Sequence, residues 1–172
     1  MNQRTTYLIV VGFVVFLAVV LAWNSITYTI EAGEKAVIFR KFQGGLDRDK
    51  VYGQGFHVKW PWDEVFTYDV RKMESRSTMD VLDRNGLSIT LELSYRYMPK
   101  GDFLGYLHDE IGTDYHEKII IPYIRSAARE VIGKYSADEL YSTKREDIQR
   151  EIATRTKVSL DDNYLFLDAV LI

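Results

Sequence analysis

Cysteine is absent from the 172 residues, which removes disulfides, thiolate catalysis and cysteine-based zinc sites in one step. Charge of one sign is missing as a block: 22 Lys and Arg are interspersed with 25 Asp and Glu, for a net charge of −3. A surface that tracks phosphates needs a basic stripe, so nucleic acid is not expected as a partner. Low-complexity and collagen-like patterns are lacking as well. With 47% hydrophobic and 27% charged residues and only three prolines, the composition is that of a chain that folds. Once an apolar N-terminal run is set aside, the length suffices for one soluble domain and is too short for two.

Catalytic patterns are equally scarce. His57 reads as a polar-face residue of a strand and His108 as part of a loop-like stretch, while His116-Glu117 lacks the second histidine of a zinc helix. Gly53-Gln54-Gly55 is followed by Phe-His-Val, a tight turn before a strand, and not by the third glycine and helix of a dinucleotide loop. There is no G-x-S-x-G elbow, and Asp161-Asp162 reads as a solvated helix end. No catalytic, cofactor-binding or metal residue is assigned, and the chain is not expected to be an enzyme.

What is present begins with Tyr7 to Trp23, YLIVVGFVVFLAVVLAW, a run without a charge that Asn24-Ser25-Ile26 extends. At about 1.5 Å per residue, the roughly twenty residues from Tyr7 to Ile26 span about 30 Å, the thickness of a hydrocarbon core. Tyr7 at one end, and Trp23 with Tyr28 at the other, sit where amphipathic rings prefer the headgroup layer. The expectation is a short flank over residues 1–6, a transmembrane helix over 7–26 and one domain over 27–172. The rival is a cleaved signal peptide, since Val20-Leu21-Ala22 offers small residues to a peptidase; the mature chain would then be an exported monomeric binding or accessory domain. A buried core helix fits poorly, because the run is apolar on every side. A short N-terminus ahead of the first apolar segment resembles a signal-anchor, which places the C-terminal domain across the membrane.

Beyond the anchor, periodicity predicts an α+β domain, an antiparallel sheet packed with helices. Ala36 to Phe39 fits a short strand buried on both faces; Phe56, Val58, Trp60 and Trp62 fall on one side at period two, and at Pro61 the strand must end or lie at an edge. Val65 to Val70 follows as a partner. Leu87 to Tyr97 alternates over its whole length, and the Asn85-Gly86 turn before it makes Ser77 to Leu82 the antiparallel neighbour. Asp114 and Glu117 suggest a helix start, Pro122 a kink or restart and Gly133 an end. Ser136 to Glu139 and Thr143 to Glu146 are capping-box patterns, predicting a short helix and a longer one over about 144–160, before an apolar strand from Tyr164 to Ile172. The longer helix shows a thin stripe, Ile148, Ile152 and Ala153, too narrow to bury a face in its own domain; these residues are the candidate subunit interface.

In order and spacing, four stretches resemble the stomatin/prohibitin/flotillin (SPFH) superfamily, in particular its prohibitin branch: Gly33 to Phe39; Gly53-x-Gly55-x-His57-x-x-x-Pro61-Trp62; the Asn85-Gly86 turn with its long strand; and Asp114-Tyr115 with the Pro122 helix and Ala137 to Leu140. The resemblance implies a non-catalytic membrane scaffold whose copies, with themselves or a paralogue, form rings or cages that organise lipids and proteins and associate with a membrane-bound AAA-type protease. It fits a bacterial inner membrane with the domain on the periplasmic side, or the mitochondrial inner membrane. Members usually continue into a coiled coil, which these residues do not contain, so the sequence reads as a piece or as a short member. Within this frame Tyr7, Trp23, Tyr28, Trp60 and Trp62 are the expected membrane-interface residues, with the domain core as the alternative place for Trp60 and Trp62.

Overall fold

The computed structural model describes Tyr7 and residues 10–14, 16–17, 25–141 and 144–172. The described residues of the apolar run are helical. Among the described residues no helix is long and apolar enough to cross a membrane. Part of the expected span, Trp23 included, and Thr143 of the second capping box lie outside the described residues.

Helical Ser25 and Ile26 run directly into β1 (Thr27–Ile30), which pairs antiparallel with β4 (Gly55–Val58). A second sheet has the order β3 (Gly45–Leu46), β2 (Glu34–Arg40), β5 (Glu64–Asp69). In β2, Ala36, Val37 and Ile38 are all buried, as a run covered on both faces should be. A third sheet, order β6 (Met73–Leu82), β7 (Ser88–Pro99), β8 (Leu165–Leu171), is antiparallel throughout. The helices pack mainly on this half, with Leu104–Glu110 also reaching β2, so the α+β expectation holds.

Helix α1 (Leu104–Glu110) contains His108, so that stretch is helical and not a loop. His116–Ile120 forms a π-helical turn, with Ile121 N–H donating to the His116 carbonyl, that leads into α2 (Ile121–Ile132) and places Pro122 in its first turn. The expected Asp114 cap is not made. No side chain caps that start, and Asp114 instead lies 3.4 Å from Lys118. At α3 (Ala137–Tyr141) the capping carboxylate is in place: Ser136 N–H donates to Glu139 Oε2 at 3.0 Å, and Lys144 Nζ donates to Oε1 at 2.6 Å.

The sequence expectation fails at α4 (Arg145–Asp161). Ile148 and Ile152 have no exposed surface and belong to the domain's own core, with Thr156 and Leu160 continuing the stripe and Ala153 packed against its edge. A narrow stripe is enough here because α4 lies across α2 and β8 and contributes one ridge to a core that Ile124, Val131, Leu165 and Leu167 complete. Ile148, Ile152 and Ala153 are therefore withdrawn as a subunit interface. The exposed face of α4 carries charges, among them Arg155, which pairs with Glu130 and Glu151.

Two points hold this half in register. Asp83, almost fully buried, accepts from Asn85 and Leu87 N–H through Oδ1, both at 2.8 Å, and from Ala137 N–H through Oδ2 at 3.2 Å. One carboxylate thus closes the β6–β7 turn and ties it to α3, which holds its pKa below the usual range, the Leu87 bond contributing most. Gly105 in α1 lets that helix touch the β3–β4 loop, where a Cβ would sit 2.1 Å from the Arg48 carbonyl oxygen. Arg48 pairs with Asp109 across the same contact, and Tyr106 Oη donates to Asp49 at 2.6 Å.

Candidate membrane-facing site

The β4 segment does not turn its apolar side chains inward. The strand ends at Val58, and Trp60-Pro61-Trp62 lies in the turn to β5, as a proline without an N–H requires. Phe56 and Val58 share an exposed face, Trp60 is 54% exposed and Trp62 42%. Trp62 stacks on Trp60 with ring centres 5.3 Å apart and planes 4° from parallel, and meets Phe42 edge-on at 5.8 Å. Phe42 projects from the β2–β3 turn and is 76% exposed. The domain core is thus not where Trp60 and Trp62 sit.

This cluster is joined by the backbone to helical Ser25 and Ile26, at the end of the apolar run. Lys59 N–H donates to the Ile26 carbonyl at 2.7 Å, and Thr27 pairs with Val58. Exposed apolar side chains therefore gather on the side of the domain where the apolar run enters it. Isolated exposed apolar residues are ordinary, whereas a contiguous group of this kind marks a contact surface. Beside the tryptophans opens a groove of about 460 Å³ that also takes in Ile26, Arg40, Lys59 and Asp63. Sequence reasoning missed Phe42, Arg40 and Asp63. The signal for Phe42 was a large apolar residue set among Lys41, Gln43, Gly44 and Gly45, where a solvated turn has no use for one.

Tyr28 differs from the tryptophans. Its ring stacks on His57 at 5.4 Å and its hydroxyl is buried without a hydrogen-bond partner. Burial, with Tyr52 nearby, pushes its pKa up to about 12. An interfacial anchor needs its polar tip in the headgroup layer, so Tyr28 is corrected to an inward-turned residue. Tyr7 is exposed on the described part of the apolar run.

The histidines have structural partners. His57 Nε2 lies 2.8 Å from the Gly53 carbonyl, holding the glycine turn before β4. Tyr68 Oη lies 2.6 Å from His108 Nδ1, and Tyr95 Oη 3.1 Å from His116 Nε2, with Tyr97 and Tyr115 packed between them. Burial pulls the His108 pKa down and pushes Tyr68 up to about 12, so both groups are neutral near pH 7. Among the described residues no three His, Cys, Asp or Glu side chains cluster as a metal site would require.

Residues 28–172 match the profile of the SPFH domain / Band 7 family. The chain belongs to this family. Its SPFH domain is similar to Prohibitin-7, mitochondrial, of Arabidopsis thaliana, at 29% identity over 81% of this chain and 52% of that protein. It is similar to Prohibitin-1, mitochondrial, of the same plant at 32% identity over 90% of this chain and 55% of that protein. Prohibitin-2 of Xenopus tropicalis is 24% identical over 84% of this chain and 50% of its own length. The resemblance to the prohibitin branch is thus upheld, and the chain spans about half the length of these relatives.

Proposed function

We propose that this chain is the membrane-proximal part of a non-catalytic, prohibitin-like scaffold subunit. In this reading the apolar helix over 7–26 crosses the bilayer once, and the SPFH domain rests on the lipid surface through Phe42, Val58, Trp60 and Trp62. The observation that carries it is the exposed aromatic cluster beside Ile26, where the apolar run enters the domain, since such rings are most stable where one end is apolar and the other wet. Copies of the chain, or of a paralogue, then assemble side by side. A membrane-bound AAA-type protease is the proposed client, at a bacterial inner membrane with the domain on the periplasmic side or at the mitochondrial inner membrane.

The test uses the full chain carrying Trp23→Phe, reconstituted in vesicles whose acyl chains bear bromine, so that only Trp60 and Trp62 report. Quenching is expected; its absence defeats the membrane-facing role. The size of the detergent-solubilised particle tests the scaffold, alone and with the sequence that follows in a longer natural version. A strict monomer in both defeats assembly. A mature N-terminus at Trp23 by mass spectrometry would replace the anchor with a cleaved leader.

A further inference from the structure

We propose that the groove beside Trp60 and Trp62 is a headgroup site for an ethanolamine phospholipid, an inference that rests on this face meeting the bilayer. The groove, of about 460 Å³, has the size of a small-ligand site and places opposite charges along one apolar wall. Arg40 gives one N–H to Tyr52 Oη at 3.0 Å, and among the described residues no carboxylate stands within ion-pair distance of it, so its remaining fork is open to a phosphate. Lys59 adds a second positive charge, its Nζ held 2.8 Å from the Asp63 carbonyl oxygen.

Asp63 is the decisive residue. It keeps only 5% of its surface, and its Oδ1 is buried with no hydrogen-bond partner. A buried carboxylate oxygen left unpaired is costly, and an incoming ammonium removes that cost. A phosphate for Arg40 and a primary ammonium for Asp63, two carbons apart on one small group, describe phosphoethanolamine. The acyl chains would leave along Ile26, Val58 and Trp60, toward the apolar helix. Choline fits less well, because a trimethylated nitrogen has no N–H to donate to Oδ1. The two indoles also cover each other's faces and form no two-walled cage for a quaternary cation. Phosphatidylglycerol brings the phosphate but offers Asp63 no cation.

The experiment titrates the full chain, Trp23→Phe, in detergent with dihexanoyl-phosphatidylethanolamine, -phosphatidylcholine and -phosphatidylglycerol and with free phosphoethanolamine, reading tryptophan fluorescence and calorimetric heat. Saturable binding of the ethanolamine lipid, at least about tenfold tighter than the choline and glycerol lipids, supports the site. Asp63→Asn, which keeps the side-chain shape, is expected to erase the preference over phosphatidylglycerol; Arg40→Gln is expected to weaken all three lipids. Unchanged melting of both variants shows that the fold is intact. Equal binding of all three lipids, or a preference for choline, overturns the headgroup site. Free phosphoethanolamine binding as tightly as the lipid overturns its assignment to a membrane. The brominated vesicles separate the two readings: quenching without headgroup preference defeats this inference and leaves the membrane-facing role standing, while no quenching from any lipid defeats both.

Discussion

Along β7, Leu91, Leu93, Tyr95 and Tyr97 send every second side chain into the core shared with α2 and α4, and all four are buried. In the β4 segment Phe56 and Val58 follow the same alternation, yet both are more than half exposed, and the rings of Trp60, Trp62 and Phe42 extend that face. The two segments have similar apolar patterns and differ in what covers them. Helices close over the third sheet, whereas among the described residues the Phe56 and Val58 side of the β1–β4 ribbon stays open, and only its other side, with Tyr28 and Ile30, is packed against the domain. An alternating strand therefore establishes that one face is meant to leave water, and does not establish whether it leaves for a core or for a second surface.

Substitutions that trade one region against the other break or sharpen this contrast. Ile152→Ala, in the helix-covered half, is expected to cost about 2–5 kcal/mol in chemical denaturation, because it empties a fully enclosed site. A cost near zero would mean that α4 is loosely held and would reopen its apolar stripe as an interface. Gly105→Ala is expected to cost about 1–3 kcal/mol, since its Cβ would meet the Arg48 carbonyl at 2.1 Å and push α1 off the β3–β4 loop. The same variant should disturb the aromatic face less than the α1 contact, which amide exchange at residues of both regions would show.

Acid is expected to weaken the helix-covered half. The Asp83 carboxyl is held down chiefly by the Leu87 N–H, and that of Glu139 is lowered to about 2, chiefly by Lys144. Groups with depressed folded values contribute stability that is fully present above their unfolded pKa of about 4 and is lost as the pH falls through the folded value. Melting temperatures measured from pH 6 downward should therefore fall between about pH 4 and about pH 2. Asp83→Asn and Glu139→Gln should each flatten that fall; an unchanged slope would remove the residue from the account. The smallest effect on stability is expected at Trp60→Ala, about 1 kcal/mol or less, because the ring is more than half exposed and its stacking partner Trp62 is itself exposed. Its vesicle association should nonetheless drop. A large loss of stability instead would place the tryptophan pair in the fold and not at a surface.

Much of this architecture was legible in the residues. The eleven-residue alternation from Leu87, the Asn85-Gly86 turn, the Pro122 restart and the C-terminal strand are all local patterns, and each is formed close to its expected bounds. Gly86 has φ of 81°, the left-handed conformation such a turn needs. Asp83 was not legible, because its three N–H partners include Ala137, which lies far away in sequence. The α4 stripe misled for a related reason: the width of an apolar face states how much a helix can bury, and not how deep its neighbours bring that face.

By itself the sequence determined the apolar run, the alternation of the strands, the bounds of the helices from Pro122 onward, and the absence of cysteine chemistry, because each depends on residues adjacent or one turn apart. Only the tertiary structure decided that Ile148 and Ile152 belong to the core, that Tyr28 turns inward, and that Phe42, Trp60 and Trp62 meet near the point where the apolar run enters the domain, beside Arg40 and Asp63. Which side of a strand or helix is covered depends on contacts between distant segments, and a one-dimensional pattern carries the period of a face but not the identity of what lies against it.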